Sequence, residues 1–185
     1  MSRLILVTGG ARSGKSSFAE GIAKECGNNV LYVATSKPID DEMKQRIAKH
    51  KAQRPSDWET LEEYKNLDLA ISNHIHGKEA VLLDCITIMI TNLMFEETND
   101  WDSLTRDEVQ EIENSIQHQI ERLIGLSKMS DVTFVIVTNE IGLGIVPATA
   151  ISRDFRDIAG RMNQLIARAA DEVYFCVSGI PMKIK

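Results

Sequence analysis

Apolar positions along the chain fall into two patterns that alternate. Leu4–Thr8, Val30–Ala34, Ala80–Asp84, Thr133–Thr138 and Val173–Val177 are short, nearly unbroken apolar runs, and each predicts a β-strand. Their continuity, rather than an in-out alternation, suits strands covered on both faces. Met182-Lys183-Ile184 reads as a short edge strand. Between the runs, Val109, Ile112, Ile116, Ile120 and Leu123 step by three and four residues, and so do Phe155, Ile158, Ala159, Met162, Leu165 and Ile166. Each set lines one face of a helix. Asp40–Lys51 reads as a further helix, with acids in its first turn and bases in its last. Strands alternating with helices predict an α/β fold, a mostly parallel sheet joined by right-handed crossovers. No repeat, low-complexity tract or linker interrupts it, so residues 1–185 are expected to form one domain. Glu96–Thr105 is the least patterned stretch and is expected to be an exposed loop.

The first strand runs straight into Gly9-Gly10-Ala11-Arg12-Ser13-Gly14-Lys15-Ser16, and a helical pattern follows through Phe18, Ala19, Ile22 and Ala23. Strand, G-x-x-x-x-G-K-S and helix in that order make a phosphate-binding P-loop. Glycines let backbone N–H groups turn inward around an anion, and the helix N-terminus adds partial positive charge. Lys15 would reach the β- and γ-phosphates, and the Ser16 hydroxyl would ligate Mg²⁺. Ligands in such sheets lie beyond the strand C-termini, where this loop already is.

Composition narrows the choice of partners. Hydrophobic residues make up 43% of the chain and charged residues 26%, the profile of a soluble globular protein. The net charge is −6 and no basic block exceeds a pair, which argues against nucleic acid or an anionic membrane. Cys26, Cys85 and Cys176 are scattered, with no metal-binding spacing, as expected of reduced cytoplasmic thiols. No apolar run approaches the ~20 residues of a membrane span, and none resembles a signal peptide.

Asp84 closes the third strand after four apolar residues, the Walker B arrangement, in which a strand-end carboxylate supports Mg²⁺ through water. The competing reading is a cap for the helix beginning near Ile86. His50 shares a helical face with Met43 and Ile47, so spacing alone reads it as a histidine packed beside an apolar stripe. His74, His76 and His118 have no metal-ligand geometry, and solvated surface is the expected setting. Arg153, Arg156 and Arg161 are interleaved with Asp154 and Asp157, which favours surface ion pairs over a phosphate clamp. Thr138–Pro147 has the composition of a functional loop but no N-K-x-D guanine signature.

Taken in order, these stretches go beyond a P-loop. Val7–Ser16, Tyr32–Ser36, Asp40–Met43, Arg46-Ile47, His50-Lys51, Arg54-Pro55, Thr91–Leu93, Val137–Gly142, Gly144–Pro147, Phe155–Arg161 and Val177–Ile180 together resemble the bifunctional adenosylcobinamide kinase / adenosylcobinamide-phosphate guanylyltransferase family of cobalamin biosynthesis. The match is thin over Glu62–Lys78 and Glu96–Asp131. The resemblance implies a RecA-like P-loop NTPase fold, a homotrimer and a corrinoid substrate. It also implies two reactions: phosphorylation of adenosylcobinamide by ATP or GTP, then GMP transfer from GTP through a guanylyl-histidine. The family's histidine falls on His50, whose neutral imidazole near pH 7 is a competent nucleophile. Guanine-nucleotide contacts fall on Ala34, Thr35, Ser36, on Lys51, Ala52, Gln53 and Arg54, on Glu62 and on Asp84. Two alternatives remain open to the residues alone: a small-molecule P-loop kinase without the transfer step, and a nucleotide switch driven by a macromolecule.

Overall fold

The computed structural model describes residues 2–37, 55, 57–98 and 100–185. Within them, in chain order, lie β1 (Leu4–Gly9), α1 (Lys15–Cys26), β2 (Val30–Ala34), β3 (Glu59–Glu62), α2 (Leu67–Ser72), β4 (Ala80–Asp84), α3 (Ile86–Glu97), α4 (Arg106–Met129), β5 (Thr133–Val137), α5 (Ala150–Ala169), β6 (Glu172–Val177) and β7 (Ile180–Lys183). The strands form one seven-stranded sheet in the order β3-β2-β4-β5-β1-β6-β7. All neighbours pair in parallel except β6 and β7, which are antiparallel.

The continuous apolar runs are the central strands, buried along their whole length, because helices cover the sheet on both sides. Ile5, Val7, Tyr32, Leu82 and Val135 face α1 and pack with Ala19 and Ala23. Leu4, Leu6, Leu31, Leu83 and Ile136 face the other way, into a larger core with α2–α5. The long helix α4 is started by Thr105, whose hydroxyl accepts from the Glu108 amide while the Glu108 carboxylate accepts from the Thr105 amide. This is the reciprocal capping box.

Strand and helix positions agree with the sequence pattern to within a residue or two at most ends, and three stretches differ, one of them the six-residue α2, which the sequence pattern did not announce. β3 was not expected. It is four residues long, its Glu-Thr-Leu-Glu sequence is only half-buried, and its pairing with β2 defines it. Glu96–Thr105, expected to be an exposed loop, is exposed at most of its described positions but is anchored at one of them. α3 runs on to Glu97, and a short 3₁₀ turn at Trp101–Ser103 buries Trp101, whose indole donates to Asp154 Oδ2 at 2.9 Å. A single tryptophan supplies the apolar area that polar neighbours hide from a periodicity reading. The helix expected over Asp40–Lys51 lies outside the described residues.

Candidate active site

β1 delivers Gly9 and Gly10 to the C-terminal edge of the sheet, and the chain turns through Arg12, at φ 56, into α1. Two positions of the turn demand glycine. A Cβ on Gly9 would lie 2.5 Å from the Cys176 carbonyl and 2.6 Å from Ser13 Oγ. Gly14 caps α1 in the left-handed region at φ 87, with the Gly179 Cα against its open side. No side chain caps this helix end, so its first N–H groups face the loop interior, where an anion would sit. Lys15 is buried and its ammonium donates to the Gly10 carbonyl at 3.1 Å, so the charge stays inside the loop. The Ser13 and Thr8 hydroxyls are buried with no partner among the described residues. Buried unpaired hydroxyls are costly, and a bound oxyanion is a ready acceptor for them.

Two neighbouring segments are fastened to this loop. The Glu140 amide, just past β5, donates to the Gly9 carbonyl at 3.1 Å. Gly179, in the β6–β7 turn, donates to the Ser13 carbonyl at 2.9 Å.

Asp84 ends β4, and one strand, β5, lies between it and the P-loop strand. The helix-cap reading of Asp84 does not hold. α3 begins after Cys85, and its start has no side-chain cap. The Asp84 carboxylate is half-buried and accepts from the Tyr32 hydroxyl at 3.2 Å. Strand register places Ala34 level with both Asp84 and Glu62, so three of the expected nucleotide contacts form one row across β3, β2 and β4. Thr35 follows in the row and is fully buried. Its hydroxyl donates to the Cys85 carbonyl at 2.8 Å and accepts from the Cys85 amide at 2.9 Å. Asn92 of α3 donates to the Thr35 carbonyl at 2.7 Å. Ser36 continues the turn, half-buried.

Behind the edge, Asn139 donates to the Thr87 hydroxyl at 2.6 Å, Thr138 donates to Asn163 Oδ1 at 2.7 Å, and Asn163 donates to the Asn139 carbonyl at 3.1 Å. This buried amide-hydroxyl network fixes the strand ends against α3 and α5, and the motif reading missed Thr87 and Asn163. The available signal was a lone asparagine on the apolar face of α5. Cys85 lies in the same network. Burial, and then the neighbouring Asp84 charge, push its thiol up to about 11, so it stays protonated at neutral pH.

The far end of the row is strongly charged. Lys37 lies 3.9 Å over the Tyr64 ring and donates to its oxygen; Tyr64 donates to Glu96, which Lys65 approaches at 2.8 Å. The Lys65 and Tyr64 hydrogen bonds hold the Glu96 carboxyl below its usual range.

His50 and Lys51–Arg54 lie outside the described residues. His74, His76 and His118 are exposed, and His74 pairs with Glu59 at 2.6 Å. Among the described residues no cluster of metal-binding side chains occurs, so a metal here would depend on the Ser16 hydroxyl, the Asp84 carboxylate and nucleotide oxygens. Hard oxygen donors of this kind fit Mg²⁺. The three arginines are used structurally: Arg153 donates to the Pro147 and Ala148 carbonyls, Arg156 meets Asp157, and Arg161 pairs with buried Glu113 on α4 rather than with an aspartate.

Comparison with known proteins finds a family model, described as cobinamide kinase / cobinamide phosphate guanyltransferase, that matches residues 5–184. The chain is 48% identical over 182 residues to the bifunctional adenosylcobalamin biosynthesis protein CobU of Escherichia coli (strain K12), spanning 98% of this chain and 99% of that protein. It is 46% identical over 187 residues to the protein of the same description in Salmonella typhimurium, spanning 98% and 99%. It is 39% identical over 180 residues to the bifunctional adenosylcobalamin biosynthesis protein CobP of Pseudomonas aeruginosa, spanning 97% and 96%.

Proposed function

Because the chain belongs to the cobinamide kinase / cobinamide phosphate guanyltransferase family, we propose that it is the bifunctional enzyme that phosphorylates adenosylcobinamide and then transfers GMP to the product. The observation that carries this reading is the C-terminal sheet edge. There the P-loop with its inward-held Lys15 and the Glu62–Ala34–Asp84 row lie one strand apart. The first can hold a triphosphate, and the second offers hydrogen-bonding groups to a nucleoside.

In the kinase step, the terminal hydroxyl of the corrinoid's aminopropanol arm attacks the γ-phosphorus, the β–γ anhydride bond breaks, and the hydroxyl proton is lost. Amides of the Gly9–Ser16 loop and the Lys15 ammonium stabilise the charge that gathers on the transferring oxygens. Mg²⁺, held by Ser16 and through water by Asp84, would supply further charge neutralisation when bound. In the transfer step, the His50 imidazole attacks the α-phosphorus of GTP and pyrophosphate leaves. An oxygen of the corrinoid phosphate then attacks the phosphorus of the guanylyl group, the N–P bond breaks to release the imidazole, and the new P–O–P linkage gives adenosylcobinamide-GDP. Lys51, Ala52, Gln53, Arg54, Thr35 and Ser36 complete the nucleotide contacts in this reading. A homotrimer in the cytoplasm is the assembly we propose.

The test is incubation with GTP labelled at the α-phosphate, with Mg²⁺ present and no corrinoid. Label should remain on the protein in an acid-labile, base-stable bond and vanish in His50→Ala, while that variant still phosphorylates adenosylcobinamide. Kinase turnover with no adduct in the parent would instead identify a P-loop kinase without the transfer step.

A further inference from the structure

Among the described residues, the rim of the phosphate loop is chemically lopsided. On the β2–β3 side, β3 ends on Glu62 and the described residues just past the two strands' C-terminal ends are polar or charged: Thr35, Ser36, Lys37 and Glu63, with Tyr64 tied to Lys37 and Glu96. On the opposite side, the two segments hydrogen-bonded to the loop expose large apolar side chains instead. Past β5, Leu143, Ile145 and Val146 are exposed, Ile145 at 94%. On the β6–β7 hairpin, Val177, Ile180 and Met182 are exposed. Those three share a face of the sheet. Val177 pairs with Ile180, Phe175 pairs with Met182, and Phe175 and Val177, two and four residues beyond Val173, share its face, which is the α5 side. The loop carrying Ile145 leads into α5 on that same side. Apolar side chains grouped beside a polar site mark a contact surface rather than ordinary solvent exposure.

We propose that this apolar rim is where the corrin ring of the acceptor rests during the kinase step. The inference depends on the functional reading above and assigns the part of the site that reading leaves without residues. Its logic is steric and chemical. The acceptor hydroxyl hangs on a short arm and must enter the loop in line with the γ-phosphate, but the ring is far too broad to follow. The ring therefore lies against whatever flanks the loop. Its methyl-bearing faces are apolar and its amides lie at the periphery, so it matches the Ile145 side and not the charged Lys37 side. The Glu140–Gly9 and Gly179–Ser13 hydrogen bonds keep both apolar segments in fixed relation to the phosphate, so a ring seated there holds its arm at the γ-phosphorus.

The test uses Ile145→Ser and Met182→Ser, changes at exposed positions that leave the core intact. With GTP saturating, KM for adenosylcobinamide should rise in each variant, and roughly 10-fold to 100-fold in the double variant if two apolar contacts are lost. GTP-dependent labelling of the protein without corrinoid should match the parent, and so should the mass by sedimentation. An unchanged KM for adenosylcobinamide would overturn the assignment. A lower mass accompanied by lost labelling would overturn it too, and would make the rim an interface between copies of the chain. A parent that turns over no adenosylcobinamide would instead refute the functional reading, and this proposal with it.

Discussion

Replacing Asp84 with asparagine isolates charge from shape at the centre of the proposed mechanism. The carboxylate ends β4 beside the nucleotide row and accepts one hydrogen bond, from the Tyr32 hydroxyl at 3.2 Å. An amide oxygen in the same place can accept that bond, and α3 begins without help from this side chain. Asp84→Asn should therefore cost less than about 1 kcal/mol of stability. At this chain length that is a fall in Tm of no more than about 4 °C. Activity should respond on a different scale. Loss of one preorganised electrostatic group near a transferring phosphoryl commonly costs ~10²–10³ in kcat, or about 2.7–4 kcal/mol of transition-state stabilisation. The assay is corrinoid phosphorylation and GMP transfer over a series of Mg²⁺ concentrations, with thermal melts of the same samples. Both rates should fall, and half-maximal activity should need more Mg²⁺. Rates equal to the parent's at every Mg²⁺ concentration would refute the metal role. A large fall in Tm with a matching loss of both activities would show that the carboxylate acts through the fold.

Two further predictions test how the edge and the termini are held. Thr35→Val keeps volume but leaves the buried Cys85 amide without its acceptor, so stability should fall by about 1–3 kcal/mol in urea unfolding, with Thr35→Ser restoring most of it; no change would mean that the hydroxyl clamp is unimportant. Glu172 takes ion pairs from Lys183 and Arg3 and a hydrogen bond from Tyr174, and these, Lys183 first, lower its carboxyl to about 2. Because the folded value lies below the unfolded one, this stabilisation is present above about pH 4.5 and is lost as pH falls toward 2. Glu172→Gln should cost about 0.5–1 kcal/mol at neutral pH, after screening, and the gap from the parent should close across that acid window; a gap independent of pH would assign the loss to packing.

The sequence alone determined the parts of this protein that are local. Continuous apolar runs require two covered faces, so the central strands and the α/β class were readable from Leu4 to Val177. The P-loop motif was equally local, because Gly9 to Lys15 fall within one turn and Lys15 folds back onto Gly10. The Cys176 carbonyl and Gly179 that crowd Gly9 and Gly14, by contrast, come from the far end of the chain. The ordered motifs carried the family resemblance, and through it the expectation for His50, which helical spacing alone assigned to packing.

Only the tertiary structure could order the strands and so put β5 between the P-loop and Asp84. It also turned three scattered residues, Glu62, Ala34 and Asp84, into one row, since register is a property of pairing and not of any one strand. β3 escaped the pattern because a half-buried edge of four residues buries too little to imprint a period on its sequence. Trp101 escaped it because its partner, Asp154, lies 53 positions away. The cap reading of Asp84 was set aside in the same way. Cap and metal ligand call for the same carboxylate at the same place in the sequence, and the start of α3 after Cys85, without a side-chain cap, removes the first and leaves the second to the Asp84→Asn test.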